Sequence, residues 1–185
     1  ATMQGRRREA VASARAITEE VPAPVMEALG FISDGVSSCK WHVLVRFGMW
    51  EAILTEPTPP EWAVIGRSLR HYARGVAYAN TGRIEQARTE LAAFDEAVKA
   101  IPAEDWDLGG QPAANVMPLA RLVLSGEIEF KAGKILEAEK HPNADRLKLC
   151  SVSDGTDIHQ VVCGAQNVDK GQTIVFAKPG AILPG

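Results

Sequence analysis

Cysteine, aromatic side chains and long apolar runs are all scarce in this chain, and each scarcity removes a class of protein. Three cysteines, Cys39, Cys150 and Cys163, cannot all pair with one another. They also lack the close spacing of a disulfide-dense secreted domain, which points to a cytoplasmic protein. The apolar stretches, such as residues 43–45 and 161–163, fall far short of the roughly 20 residues that a membrane-spanning helix needs. Arg6, Arg7 and Arg8 are followed by Glu9, Glu19 and Glu20 with no apolar stretch and cleavage site, so they read as a solvated first helical turn and not as a targeting segment.

The residue groupings that carry chemistry are missing as well. Neither a Walker loop nor a G-x-G-x-x-G turn is present. Ser37 and Ser38 lie near His42, yet no glycine elbow or placed acid accompanies them. Cys150, Cys163, His141 and His159 share one short stretch but not the C-x-x-C or H-x-x-x-H spacing that presets metal geometry, and both cysteines sit among Leu and Val like small core residues. The expectation is a binding protein and not an enzyme, with no cofactor, no metal and no membrane segment.

What is there falls into two parts. Hydrophobic residues make up 46% of the chain, enough for a packed core. All four Trp, both Tyr and most Ala lie before Gly133. Residues 1–132 hold 14 Lys plus Arg against 17 Asp plus Glu, whereas residues 133–185 hold six of each, so neither part attracts nucleic acid by net charge alone.

Residues 1–132 have the grammar of helices. Ala63, Ile65, Leu69, Tyr72, Val76 and Ala79 recur at three- and four-residue spacing, as one buried helical face requires. Gly82 breaks the run, and Ile84, Ala87, Leu91, Phe94 and Val98 form a second one, which predicts a helical hairpin. A turn glycine, an alanine five residues on and a small or apolar residue four beyond that recur at Gly5, Ala10 and Ala14 and at Gly82, Ala87 and Leu91. The alanine belongs where the two helices of a hairpin approach closely. Pro22 is expected to close the second helix of the unit that turns at Gly5. A weaker copy runs from Trp41 through Leu44 and Gly48 to Ile53, and Gly48 stands 34 residues before Gly82. After Gly109, Gly110 and Pro112, residues 114–132 are expected to form a further helix containing Val116, Leu119, Leu122, Leu124 and Ile128.

On these residues, and on His42-Val43-Leu44-Val45-Arg46-Phe47-Gly48 and His71-Tyr72-Ala73-Arg74-Gly75-Val76-Ala77-Tyr78, the stretch from Met3 to about Lys131 resembles tetratricopeptide-repeat proteins. A separation of 43 residues between Gly5 and Gly48, and Pro57, Pro59 and Pro60 in one connection, make the repeats irregular; a generic helical bundle is the other reading. Stacked hairpins present a concave face to a protein or peptide. Candidate residues on that face are Arg70, Arg74, Tyr78 and Asn80.

Past Gly133 the pattern turns to short β-type runs at residues 134–139, 146–152, 158–163 and 173–177, with Asp154-Gly155 as a hairpin signal. Residues 134–140 also fit a helix, since Leu136, Glu137, Ala138, Glu139 and Lys140 are good helix formers and Gly126 and Ala138 extend the repeat grammar; the need for a strand partner downstream favours the strand. The run Gly133-Lys134-Ile135-Leu136-Glu137-Ala138-Glu139-Lys140-His141-Pro142-Asn143-Ala144-Asp145-Arg146-Leu147 resembles the start of the tRNA-binding domain of the bacterial phenylalanyl-tRNA synthetase β subunit. Val162-Cys163-Gly164-Ala165-Gln166-Asn167-Val168 and Pro179-Gly180-Ala181-Ile182-Leu183-Pro184-Gly185 continue the resemblance in order. It implies an OB-fold barrel, of which four strand candidates are present where five are needed. Unpaired edges would favour self-association.

The fold class expected is therefore α+β: irregular tetratricopeptide-like hairpins over residues 1–132 and a partial OB-fold barrel over 133–185. Candidate RNA contacts are Lys134, Lys140, His141, Asn143, Arg146, Lys148 and Lys178, with Lys140, Arg146 and Lys148 foremost. His141 and residues 143–145 have turn and capping chemistry as a second reading. Phe176 is the one aromatic after Phe130, so base stacking contributes little and binding to tRNA should be weak and salt-sensitive. Two sets of motifs, neither a whole domain, also fit a chimera or truncated fusion that acts only through protein contacts.

Overall fold

The computed structural model describes residues 5–102, 106–108 and 110–177. The protein is α+β, with eight helices and a curled four-stranded antiparallel sheet among the described residues. It divides into two compact units, Ala1–Ile128 and Glu129–Gly185.

The helical unit contains α1 (Arg7–Glu20), α2 (Ala23–Ala28), α3 (Gly30–Ser37), α4 (Cys39–Arg46), α5 (Trp50–Thr55), α6 (Val64–Asn80), α7 (Ile84–Val98) and most of α8 (Ala113–Glu129). The predicted hairpin is α6 and α7. Gly82 turns it at φ 78°, a left-handed conformation that suits glycine, and the Arg83 amide bonds the Tyr78 carbonyl at 2.8 Å. Every residue expected on the buried face of α6 is buried, and Ala87 of α7 is fully enclosed, as close helix approach requires. Gly5 and Gly48 also have positive φ, with Ala10, Ala14, Trp41, Leu44 and Ile53 buried beside them.

One expectation holds and another needs correction. Pro22 closes the helix that follows the Gly5 turn: α1 ends at Glu20, and Pro22 then stands before α2. The helix expected over 114–132 stops at Glu129, and residues from Phe130 on are strand. Within this helix Leu119 and Leu122 are 60% and 65% exposed, while Ala113, Met117, Ala120, Leu124 and Ile128 face the core. Apolar residues lie around most of α8, so the period alone had little polar contrast with which to choose a face.

One buried carboxylate positions the main hairpin. The first amides of α6 have no partner within the helix, and Ala63, which precedes it, has no side-chain oxygen to offer. Asp34 of α3 supplies both oxygens: Oδ2 accepts from the Ile65 amide at 2.6 Å and Oδ1 from the Gly66 amide at 2.8 Å. Gly66 leaves room for this, since a Cβ there would lie 3.1 Å from Asp34 Oδ1. Burial pushes the Asp34 carboxyl up to about 6, against the lowering effect of the two amides.

The sheet unit has the order β3-β2-β1-β4, with β1 (Phe130–Lys140), β2 (Lys148–Ser153), β3 (Ile158–Cys163) and β4 (Thr173–Ala177) all antiparallel to their neighbours. Residues 134–140 pair with β2 along their length, which resolves the helix-or-strand alternative in favour of the strand. β1 serves two partners: residues 130–134 lie on β4, and residues 134–140 on β2. The change of partner is possible because Gly133 has no side chain; a Cβ there would meet Val152 Cγ1 at 2.6 Å and Phe176 Cβ at 2.9 Å. A register shift between Ile135 and Glu137 adds to the bend. The resulting sheet is a partial OB-like barrel around Ile135, Cys150, Val152, Val168 and Phe176.

Candidate nucleic-acid interface

The loop from β1 to β2, residues 141–147, together with the strand residues Lys140 and Lys148 that flank it, gathers five of the seven candidate RNA contacts. Lys140 closes β1 and Lys148 opens β2 directly opposite it. Between them the chain folds back on itself, with the His141 amide on the Leu147 carbonyl at 2.9 Å. His141 Nδ1 accepts the Asn143 amide at 3.2 Å, so the ring is engaged in the turn chemistry expected before Pro142.

This loop is fastened to the one at residues 164–168. Gln166 Nε2 donates to the Arg146 carbonyl at 2.9 Å, and Lys148 Nζ donates to the carbonyls of Gln166 and Val168 at 3.3 and 2.6 Å. The two stretches singled out by resemblance therefore meet as one surface. Gln166 was not among the candidate residues; its presence within the second motif was the available signal. Lys148, one of the foremost candidates, spends its ammonium on holding the two loops together.

The remaining candidates differ in how much charge they have to offer. Lys140 is exposed and pairs with Asp145 at 2.7 Å, a contact of two highly exposed groups that contributes little. Arg146 and Asn143 are exposed. Lys134 is exposed where β1 changes partner, with Glu137 and Glu139 exposed further along the strand. Among the described residues, no ion pair or hydrogen bond engages the side chains of Lys134 and Arg146. Lys178 lies outside the described residues. Phe176 is 5% exposed, so this aromatic belongs to the core and offers no face for stacking.

In the helical unit the candidate protein-contact residues sit in an ordered network. Glu90 of α7 is buried and accepts from Arg74 Nε at 2.6 Å, with His71 Nδ1 at 2.7 Å from its other oxygen. Burial raises the Glu90 carboxyl, but the bonds from His71 and Arg74 outweigh it and hold the group below its ordinary value. Arg74 also donates to the Leu54 carbonyl and to the Tyr78 hydroxyl, and Arg83 lies over the Tyr78 ring at 4.8 Å. Asn80 bridges the Val76 carbonyl and Glu127. Arg70 differs from these: its Nε is buried without a hydrogen-bond partner. Glu90, the hub of the network, was absent from the sequence reading because an isolated Glu in an amphipathic helix gives no sign of burial.

The Ser37, Ser38 and His42 group forms no catalytic arrangement. Both hydroxyls donate to backbone carbonyls of α3, and the His42 ring lies 6.2 Å from that of Tyr72. The three thiols are free; burial pushes that of Cys150 up, which disfavours the reactive thiolate. No described helix is long and apolar enough to cross a membrane.

Comparison with known proteins bears on the sheet unit. Residues 130–184 match the family model described as "Putative tRNA binding domain". The phenylalanine–tRNA ligase beta subunit of Bdellovibrio bacteriovorus is 59% identical over 54 residues, 29% of this chain and 7% of that one. The same subunit of Desulfotalea psychrophila is 54% identical over 56 residues, 30% of this chain and again 7% of the relative. The protein named "Putative tRNA-binding protein YtpR" of Bacillus subtilis is 49% identical over 63 residues, 34% of this chain and 31% of its own length. The chain thus spans only a small part of the ligase subunits and less than a third of the Bacillus protein. No solved structure matches it. The family match stops at residue 130 and does not show a tetratricopeptide segment. Residues 130–184 are thus similar to the family described as a putative tRNA binding domain and to a short stretch of the phenylalanine–tRNA ligase beta subunit.

Proposed function

We propose that the sheet unit binds tRNA weakly, through the phosphate backbone and without base-sequence preference. One observation carries this reading: the two loops of the matched domain are tied into one surface by Gln166 and Lys148, with Arg146 exposed upon it. Among the described candidate residues, Arg146 and Lys134 are cations with no side-chain partner and are available to phosphate oxygens. Lys140, His141 and Asn143 add contacts from the same loop, Lys178 extends the set, and Lys148 acts through the loops it holds. The balanced charge of residues 133–185 and the burial of Phe176 favour low affinity with strong salt dependence.

Titration of labelled tRNA with the full chain across a salt series tests this. Binding is expected at low ionic strength, and the Lys134→Glu, Arg146→Glu double variant should lower both affinity and salt slope, by about 0.7–0.9 of slope per lost phosphate contact. Absence of salt-dependent binding at low ionic strength, or an unchanged double variant, overturns it. The chimera or truncated fusion acting only through protein contacts requires that absence.

A protein-contact role for the helical unit is a second reading, favoured by Arg70. Its guanidinium has a buried Nε without a partner and lies in the field of Arg67 and Arg74, with Glu90 as the opposing charge. An acidic group on a protein or peptide partner would complete this face, which in the tetratricopeptide-like reading includes Arg74, Tyr78 and Asn80. A partner retained by the wild-type chain should be lost on Arg70→Glu; equal retention removes the reading. The sheet contributes a further contact mode: Val175, Ile158 and Val162, on the outer strands β4 and β3, are 80%, 66% and 53% exposed, which supports self-association there. Three free thiols are in keeping with a cytoplasmic setting.

A further inference from the structure

At the turn from β2 to β3, outside the loops assigned to tRNA, Asp154, Asp157 and His159 bring one imidazole nitrogen and two carboxylate oxygens within 4.8 Å of one another. The local fold accounts for the grouping. Gly155 takes φ 91°, and the Asp154 amide bonds the Asp157 carbonyl at 3.1 Å, which closes the turn. Asp154 Oδ1 accepts the amides of Thr156 and Asp157, each at 2.9 Å, and this fixes the carboxylate. His159 follows two residues after Asp157, on the inward side of β3, with its ring 5.1 Å from that of Phe176.

A second observation concerns the histidine itself. His159 Nε2 is sealed from solvent and makes no hydrogen bond. It faces Asp154 Oδ2 at 3.7 Å, and the Asp154 side chain is only 8% exposed. A buried imidazole nitrogen without a partner is costly, and here it looks across a gap too wide for a hydrogen bond at a buried carboxylate oxygen.

We propose that this gap is a divalent transition-metal site, with Asp154 Oδ2, an Asp157 carboxylate oxygen and His159 Nε2 as ligands. A mixed imidazole and carboxylate set suits zinc or cobalt, whereas magnesium and calcium select oxygen alone. Metal–ligand bonds of about 2.0–2.2 Å require the three atoms to draw together, and Asp157, on the exposed side of the turn, has the freedom to do so. Water completes the coordination. The cysteines play no part: the site is built from aspartates on either side of Gly155, which a search for Cys and His spacing passes over.

Titration of the full chain with Co²⁺, followed by visible absorption, is the test, because cobalt bound to oxygen and nitrogen lacks the intense thiolate charge-transfer bands that Cys39, Cys150 or Cys163 would produce. Saturation at one cobalt per chain without those bands is expected, together with loss of the signal in His159→Gln and weakening in Asp157→Asn. Circular dichroism of both variants guards against misfolding, and Asp157, being exposed, is the safer of the two. Thiolate bands, retention of the signal in a folded His159→Gln chain, or no binding at all overturns the proposal.

Discussion

Charged groups do different work in the two units. In the helical unit, Asp34 and Glu90 are buried carboxylates that reach across 31 and 16 residues of sequence to hold helices together. The sheet unit packs Ile135, Cys150, Val152, Val168 and Phe176, and its strands satisfy one another through the ladder. The difference follows from the backbone. A helix pairs its own amides except at its ends, so joining helices leaves termini that side chains must serve, whereas a strand finds its partners in its neighbour.

The largest effects should come from glycines that mark the closest approaches, one in each unit. A Cβ at Gly35 would lie 2.0 Å from the carbonyl oxygen of Asp107, and a backbone oxygen has little room to give. Gly35→Ala should destabilise the helical unit by about 3 kcal/mol or more, and Gly133→Ala, which presses on side chains, the sheet unit by about 1–3 kcal/mol. Denaturant titration read by far-ultraviolet dichroism for the first, and by amide exchange of the β1–β2 ladder for the second, ranks the two. Equal or smaller loss at Gly35 would mean that its approach to residue 107 is easily relaxed.

Next come the buried carboxylates. Asp34→Ala strands the amides of Ile65 and Gly66, at about 1–3 kcal/mol for each unsatisfied group. Its titration sharpens the point. Between the ordinary carboxylate value and about 6, the folded chain holds a proton on Asp34 that the unfolded chain has released, so this contribution to stability is full below pH 4 and is lost as pH rises through 6. The loss amounts to about 3 kcal/mol if the whole shift is realised. Glu90 acts in the opposite sense: its carboxyl is depressed, so its contribution is present above its ordinary value and lost as pH falls. Asp34→Asn removes the first dependence and keeps one acceptor for an amide. Stability of the wild type relative to this variant should therefore fall from pH 4 to pH 7; a flat difference would show that Asp34 remains ionised throughout.

How much of this was legible in the sequence follows the same division. Asp154-Gly155 and the alternation around it placed β2 and β3 to within two residues, and the residues around Gly133 marked the change from helix to strand. Strand pairing over 134–140 needed the ladder itself, since those residues also suit a helix. In the helical unit, the faces of α6 and α7 were clear from their period, but α8 was not, with Leu119 and Leu122 outside. Asp34 and Glu90 were missed because the amides and cations that serve them come from distant segments. At the candidate interface, Arg146, Lys134 and Lys148 were all singled out by charge, and residue type cannot tell a free ammonium from one bonded to two carbonyls, as that of Lys148 is.

Lys148→Met tests that last distinction at a smaller scale. It keeps the unbranched stem but for the terminal ammonium and removes both carbonyl bonds, which should cost about 1.5–3 kcal/mol and loosen amide protection in residues 166–168. Weaker tRNA binding with protection intact would instead make Lys148 a direct phosphate contact.

The smallest effect is expected where charge lies on the surface. Arg121 of α8 holds Asp95 of α7 through two bonds of 2.8 and 3.0 Å, as regular a geometry as any pair in the helical unit, but the side chains are 48% and 37% exposed. Water competes for both partners and salt screens them, so Arg121→Ala should cost about 0.5 kcal/mol, less still in high salt. Good geometry would then count for little without burial, in contrast to Asp34 and Glu90. A cost above about 1 kcal/mol that persists in salt would mean that the joint between α7 and α8 depends on this pair, and that exposure is the wrong measure by which to separate the two kinds of charge.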